Sequence, residues 1–273
     1  MRDFLYGAGA WLLLAARGAS AIELDVNSEA SVQNAARAIA SNIMTRYQNS
    51  SNVVGLFPDP YYYWESGLAW DSMINYASLT GDSQWNDLII EAIFYQRGPD
   101  NAFMPPNQTM SLGNDDQSTW ALAAMTAAEK DFPIPQGAPI SSWAELAVNV
   151  FEAQAARWDN DTCNGGLRWQ IFSFNNGYNY KNSFTNGNFL QLAARLGRYT
   201  GNQTYLDWAE SVFYWSIGVG LIDKRAQVFD GTDTSQNCSQ INRIQWTASI
   251  GTYLSGSAYA VNDVSTEWKS TSS

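Results

Sequence analysis

The sequence predicts an all-α fold, an α/α toroid in which helical hairpins follow one another around a ring. Three features point there. Apolar residues recur at the spacing of one helix face through most of the chain, strand-like alternation is almost absent, and one helix–turn–helix pattern occurs twice. The repeat aligns "ESGLAWDSMINYASLTGDSQW" from Glu65 with "TNGNFLQLAARLGRYTGNQTY" from Thr185, without gaps, at an offset of 120 residues. Each copy is a helix that ends in Thr-Gly followed by Asp82 or Asn202. Gly81 and Gly201 can take the left-handed conformation that closes one helix, and Asp82 and Asn202 can cap the next. The competing reading is chance likeness between two hairpins. If the repeat is real, alternate helices line the inside of the ring and the others form an outer layer.

The apolar spacing yields about eight helices. Near 28–47, Val32, Ala35, Ala36, Ile39, Ile43, Met44 and Tyr47 fall on one face. Segments 65–80 and 83–97 are the arms of the first repeat. An apolar run over 115–129 opens on the acid pair Asp115-Asp116, and 141–157 continues the helical periodicity. Segments 184–200 and 203–217 are the arms of the second repeat, and 245–261 carries the last helical pattern. The stretches 98–113, 158–182 and 220–243 are rich in Gly, Asn, Asp and aromatics, which suits long functional loops. No internal domain boundary is visible.

The chain has no histidine and only two cysteines, Cys163 and Cys238. Ser-His-Asp and Cys-His nucleophile systems, HExxH zinc sites and histidine acid–base chemistry are therefore excluded, and carboxylates remain. With 26 acids against 15 bases and a pI near 4.3, the surface should repel nucleic acid and anionic membranes. A neutral partner fits better. Twelve Trp, fourteen Tyr and twelve Phe either serve as large packing residues or stack on sugar rings.

Residues 1–21 read as an export signal: Arg2, the apolar run Phe4 to Ala16, then Ala19-Ser20-Ala21 as a cleavage site. Thirteen apolar residues are too few to span a bilayer as a helix, so a membrane anchor is the weaker reading. The mature helical domain would cover 22–273. Five N-x-S/T sequons, at Asn49, Asn107, Asn160, Asn202 and Asn237, agree with passage through an oxidising secretory compartment. There Cys163 and Cys238 would form one disulfide, two buried thiols being the alternative.

Polar residues at the starts of inner helices would gather at one end of the ring: Glu65, Asp115 with Asp116, Asn186 and Gln245. Capping needs at most one acid of the adjacent pair. Consecutive helical residues point about 100° apart, so one Asp can face the cavity while the other reaches from its side. Glycoside hydrolysis uses two such carboxyl groups, one attacking or activating water and one protonating the leaving oxygen. Neighbouring carboxyls raise each other's proton affinity, favouring one acid beside one anion. Taken alone, the pair is also compatible with capping plus solvation.

The strings "YYYWESGLAWDSMINYASLTGD", "LGNDDQSTWALAAMTAAE", "WDNDTCNGGLRWQI", "YKNSFTNGNFLQLAARLGRYTGN" and "VFDGTD", in this order, resemble the family 76 glycoside hydrolases. Within that family they are most similar to the secreted fungal branch of cell-wall proteins called defective for filamentous growth. The resemblance covers roughly Ile22 to Gly256, and its most specific motif is Gly113-Asn114-Asp115-Asp116-Gln117. It implies an (α/α)6 barrel and a retaining endo-α-1,6-mannanase without metal or other cofactor. Asp115 would be the nucleophile and Asp116 the acid/base, with Asp230 holding the sugar beside the cleaved bond. Trp64, Glu65, Trp169 and Asn186 would line the cleft. The implied partners are α-1,6-mannan or the mannose of a GPI glycan, at the cell wall or the outer face of the plasma membrane. Hydrolysis competes with transglycosylation onto a cell-wall glucan.

Two departures stand out. A full barrel has twelve helices and this chain supplies about eight, with Ala248 and Ser249 where family members usually carry an aromatic and an Asn. The chain ends "STEWKSTSS", without the hydrophobic tail that signals lipid anchoring. A truncated product is the expectation, with a poorly folded and inactive open arc as its consequence. A catalytically inactive mannan-binding protein is the reading from another class.

Overall fold

The computed structural model describes residues 22–48 and 53–270. Among them are eight α-helices: α1 Glu29–Gln48, α2 Tyr63–Thr80, α3 Asn86–Gln96, α4 Asn114–Glu129, α5 Trp143–Ala155, α6 Ser183–Thr200, α7 Gln203–Val219 and α8 Thr247–Ser270. The proposed signal peptide and Asn49 lie outside the described residues.

Helices α2, α4, α6 and α8 pack side by side in an inner row. Outside it, α1 and α3 lean on α2, α5 sits against α4 and α6, and α7 against α6 and α8. The sequence dictates the layering. Every residue of α4 from Gln117 to Ala128 is buried, as its nearly unbroken run of small and apolar side chains requires of a helix enclosed on all sides. Helix α7 instead buries only Ala209, Val212 and Ser216, one stripe. The arrangement is an α/α toroid with four inner and four outer helices described, against the six of each in a full barrel.

The turns of the repeat form largely as their residues predict. Gly81 and Gly201 close α2 and α6 with φ of 72° and 69°, donating to Ala77 O and Gly197 O. Asn202 caps α7 by accepting the Thr204 N–H at 3.0 Å. Asp82 departs from expectation. It takes the Tyr76 hydroxyl at 2.7 Å and the Gln84 N–H at 3.2 Å, because the chain makes a further turn before α3 starts at Asn86.

Aromatic residues divide between core and surface. Trp70, Trp120 and Trp143 are fully buried, each indole N–H satisfied by a backbone carbonyl: Gly55, Tyr63 and Phe132. Trp64, Trp169 and Trp246 lie around a cleft.

A small antiparallel sheet, absent from the sequence reading, joins the long loops: β1 Tyr180–Asn182, β2 Gly231–Asp233 and β3 Ile241–Asn242. Asn182 pairs with Gly231, and Gly231 with Asn242. Strands of two or three residues are too short to show a period of two. Cys163 and Cys238 are bonded, with Cα atoms 5.7 Å apart, so the 158–167 loop is tied to the turn after β2. Asn107, Asn160, Asn202 and Asn237 are all exposed. The Asn202 cap uses only its side-chain oxygen, which leaves the amide nitrogen open to glycosylation. No helix among the described residues is long and apolar enough to cross a membrane.

Candidate active site

The inner helices begin at one end of the arc, and the second residue of each faces a shared cleft of about 690 Å³: Trp64, Asp115, Phe184 and Ala248. The residue just before the helix joins in from α2, α6 and α8: Tyr62, Asn182 and Trp246. From the loops come Trp169, Gln170 and Asp230.

The acid pair sits where α4 starts. Asp116 Oδ2 accepts the Gly113 N–H at 2.8 Å, so the third helical residue reaches back to cap the first turn. Asp115 Oδ1 accepts the Asp116 N–H at 2.9 Å, and the Asn182 side chain also bonds to it. Asn182 uses its oxygen to cap α6 at Thr185 N, 2.8 Å away, leaving its NH₂ for Asp115. Gly113 is required by a close approach, since a Cβ there would stand 2.4 Å from Asp115 Oδ1.

The flanking residues of the motif are scaffold. Asn114 donates from its backbone to Trp169 O at 2.8 Å and from its side chain to Arg168 O at 2.9 Å. The buried guanidinium of Arg157 bonds Asn114 Oδ1 at 2.9 Å and Gln117 Oε1. Gln117 in turn donates to Ala102 O at 2.7 Å. The two Asp side chains are thus carried on a turn fixed from both sides.

Burial raises both carboxyls above the ordinary range. At Asp115, 8% exposed, desolvation is the larger cause and the neighbouring charge of Asp116 the second. Asp116 is also raised by burial, but the backbone N–H groups of Gly113 and Trp64 oppose the shift. The partial positive charge of the helix terminus does not outweigh desolvation here. A carboxyl that binds its proton more tightly when folded contributes stability below the unfolded pKa of about 3.9 and loses it as pH rises through the folded value. Asp115→Asn is therefore expected to raise the melting temperature at neutral pH, with the gain vanishing in acid; thermal scans across pH check it.

Asp230 faces the pair across the cleft. Its Oδ2 accepts Tyr180 Oη at 2.6 Å and Asn242 Nδ2 at 2.8 Å, and its Oδ1 accepts the Trp246 indole N–H at 2.9 Å. Trp169 is part-exposed and lies over Gly177, where a Cβ would come within 2.4 Å of the ring.

Asp115, Asp116, Trp64, Trp169 and Asp230 are therefore brought together. Glu65 and Asn186 are not. Glu65 is occupied as a cap, accepting the Tyr62 N–H at 2.7 Å, and borders a separate groove between α1 and α2. Asn186 is fully buried one turn into α6, its oxygen on Leu167 N at 2.8 Å and its NH₂ on Leu167 O and Asn182 O. Gln245 is exposed and outside the cleft lining. Sequence reasoning missed Tyr180, Asn182, Phe184 and Trp246. Asn182 had a usable signal, an Asn directly before an inner helix.

The chain is similar to several known proteins. Mannan endo-1,6-alpha-mannosidase DCW1 of Saccharomyces cerevisiae is 47% identical over 256 residues, 92% of this chain and 57% of that protein. The protein of the same name from Eremothecium gossypii is 44% identical over 268 residues, 96% of this chain and 59% of that protein. The chain thus spans little more than half the length of these relatives. The crystal structure of Dfg5 from Chaetomium thermophilum in complex with glucosamine superposes with a TM-score of 0.84 at 42% identity, over 90% of this chain and 63% of that one. The alpha-1,6-mannanase GH76A from Salegentibacter sp. HEL1_6 shares the fold, with a TM-score of 0.66 at 19% identity over 84% of this chain and 65% of that one. The model of the family described as Glycosyl hydrolase family 76 matches residues 31–272, and the chain belongs to that family.

Proposed function

We propose that the protein is a secreted, retaining glycosidase acting on α-1,6-linked mannose, with Asp115 as nucleophile and Asp116 as general acid and base. The observation that carries this reading is the pair of adjacent, buried carboxyls with raised proton affinity, set in an aromatic-lined cleft. The names of the relatives, mannan endo-1,6-alpha-mannosidases, supply the substrate class. Asp115 attacks the anomeric carbon as the glycosidic bond breaks, and Asp116 gives its proton to the departing oxygen. Asp116 then takes a proton from water, or from a glucan hydroxyl when the mannosyl group is transferred instead, as that oxygen bonds the anomeric carbon and the bond to Asp115 breaks, freeing its carboxylate. Asp230 and Trp169 hold the sugar, and mannan or the mannose of a GPI glycan is the donor. Exposed sequons and the disulfide support export to the cell wall or outer membrane face.

Burial raises both carboxyls, so the pair holds a proton well above the ordinary carboxylate range. Attack requires that proton on Asp116. Positive charge developing at the anomeric carbon stabilises the Asp115 anion and favours that arrangement. One proton on the pair is the active form, so activity against pH should be bell-shaped. Protonation of both groups removes the nucleophile on the acid side, and loss of the last proton removes the acid on the alkaline side. Because burial raises both groups, the whole bell is expected above the ordinary Asp value of about 3.9; initial rates on α-1,6-mannan over pH locate both limbs.

A second reading, sugar binding without turnover, is favoured by Ala248 and Ser249 in the cleft wall. Reducing-end release from α-1,6-mannan decides between them. Cleavage supports the enzyme, binding without cleavage the second reading, and neither result would reject both. An assay with labelled glucan acceptor separates transfer from hydrolysis.

A further inference from the structure

Strand β1 carries three consecutive residues with divergent tasks. Tyr180 and Asn182 face the cleft side, the first on Asp230 and the second on Asp115. Lys181 between them points the other way, as alternation along a strand requires. It is fully buried, and its Nζ lies 3.2 Å from Asp159 O, 2.7 Å from Thr162 O and 2.5 Å from Gly165 O. Asp159 Oδ2 completes the shell at 3.2 Å and is shared with Arg168, whose NH2 nitrogen is 2.8 Å away. Three carbonyls and one carboxylate converging on a point form the kind of oxygen cage that hard cations take. Here the chain supplies its own cation, and the cage is the loop that contains Cys163.

We infer that Lys181 is a positioning residue: its ammonium fills a cation cradle in the disulfide-bearing loop and thereby holds strand β1, whose Asn182 and Tyr180 fix Asp115 and Asp230 in the cleft. The importance of those two acids rests on the function proposed above; the cradle itself does not. Burial pulls the Lys181 ammonium down to about 8, with Asp159 opposing, so it remains charged from acid to neutral pH. A neutral side chain here would leave the Asp159 and Gly165 carbonyls without the ammonium donor and the Thr162 carbonyl with only the Gly165 N–H.

The test compares wild type, Lys181→Ala and Lys181→Met in propylammonium chloride, the fragment that alanine removes, and in tetramethylammonium chloride at equal ionic strength. Melting temperature and affinity for α-1,6-mannotriose are read in each salt. Wild type should be indifferent to the salt. Lys181→Ala should melt lower and bind about tenfold more weakly in tetramethylammonium, and recover both properties in propylammonium. Lys181→Met, which keeps the stem but lacks the charge, should lose affinity in both salts. A Lys181→Ala protein insensitive to the cation, or a Lys181→Met protein that binds like wild type, overturns the inference. If Lys181→Ala folds in neither salt, the Met variant decides. If wild type itself does not bind mannotriose, the sugar assignment falls, while the melting temperatures still judge the cradle.

Discussion

Asp115→Asn is expected to abolish turnover of mannan and of activated α-mannosides alike, by on the order of 10⁴ or more. Asp116→Asn should lose about 10²–10⁴ on mannan but little on substrates whose leaving group departs without a proton. The two side chains are adjacent, Asp115 buried and Asp116 part-buried, and both line one cleft, so the contrast does not come from position in the fold. It comes from bonding. In the proposed mechanism Asp115 supplies the atom that joins the anomeric carbon, and no leaving group compensates for its loss. Asp116 is held on the Gly113 N–H and supplies a proton, which a good leaving group does not need. Steady-state rates on mannan and on an aryl α-mannoside, measured for both variants, check the division. Equal losses on the two substrates for both variants would remove it.

Replacing Cys163 and Cys238 together by Ser is expected to destabilise the fold by about 4 kcal/mol, given their sequence separation of 75. That is a large share of the 5–15 kcal/mol that holds a typical domain together. The bond joins the loop gripped by Lys181 to the turn that follows β2, and β2 begins directly after Asp230. Activity should therefore fall at temperatures where the variant is still folded, because Asp230 loses its fixed distance from Trp169. Denaturant titration of the oxidised protein and the double variant reads the stability. Rates below the variant's melting point read the positioning. A difference under about 1 kcal/mol would mean that the loops are held by other contacts.

The helical layering was legible because periodicity is a local property. Gly81 and Gly201 announced two hairpins, and the apolar run after Asp116 announced an enclosed helix. The acid pair proposed to be catalytic was legible for a different reason, since one of its two acids exceeded what capping could use. In fact Asp116 does cap, and Asp115 is the surplus. The errors have a common geometry. The cleft is lined by the residue before α2, α6 and α8 and by the second residue of every inner helix, while the third joins only from α4 and α8, so a shift of one or two positions can move a side chain out of the site. Glu65 is the third residue of α2 and turns back onto Tyr62 N; Asn186 is the fourth of α6 and points at Leu167. Helix starts read from sequence are not that sharp. Tyr180 and Trp246 were invisible for want of contacts, and Asn182 carried only the signal of an Asn before a helix. They reach Asp230 and Asp115 across 16 to 67 residues of chain, through short strands whose pairing no local pattern encodes.

The most direct test of the account is covalent trapping. The protein is incubated with an activated fluorinated α-mannoside that forms the glycosyl-enzyme but releases it slowly, digested, and sequenced by tandem mass spectrometry. A single mannosyl adduct on the carboxylate of Asp115, lost in Asp115→Asn and retained in Asp116→Asn, is the predicted result. An adduct on Asp116 would reverse the two roles, and mannan cleavage with inverted product and no adduct on either residue would contradict the mechanism.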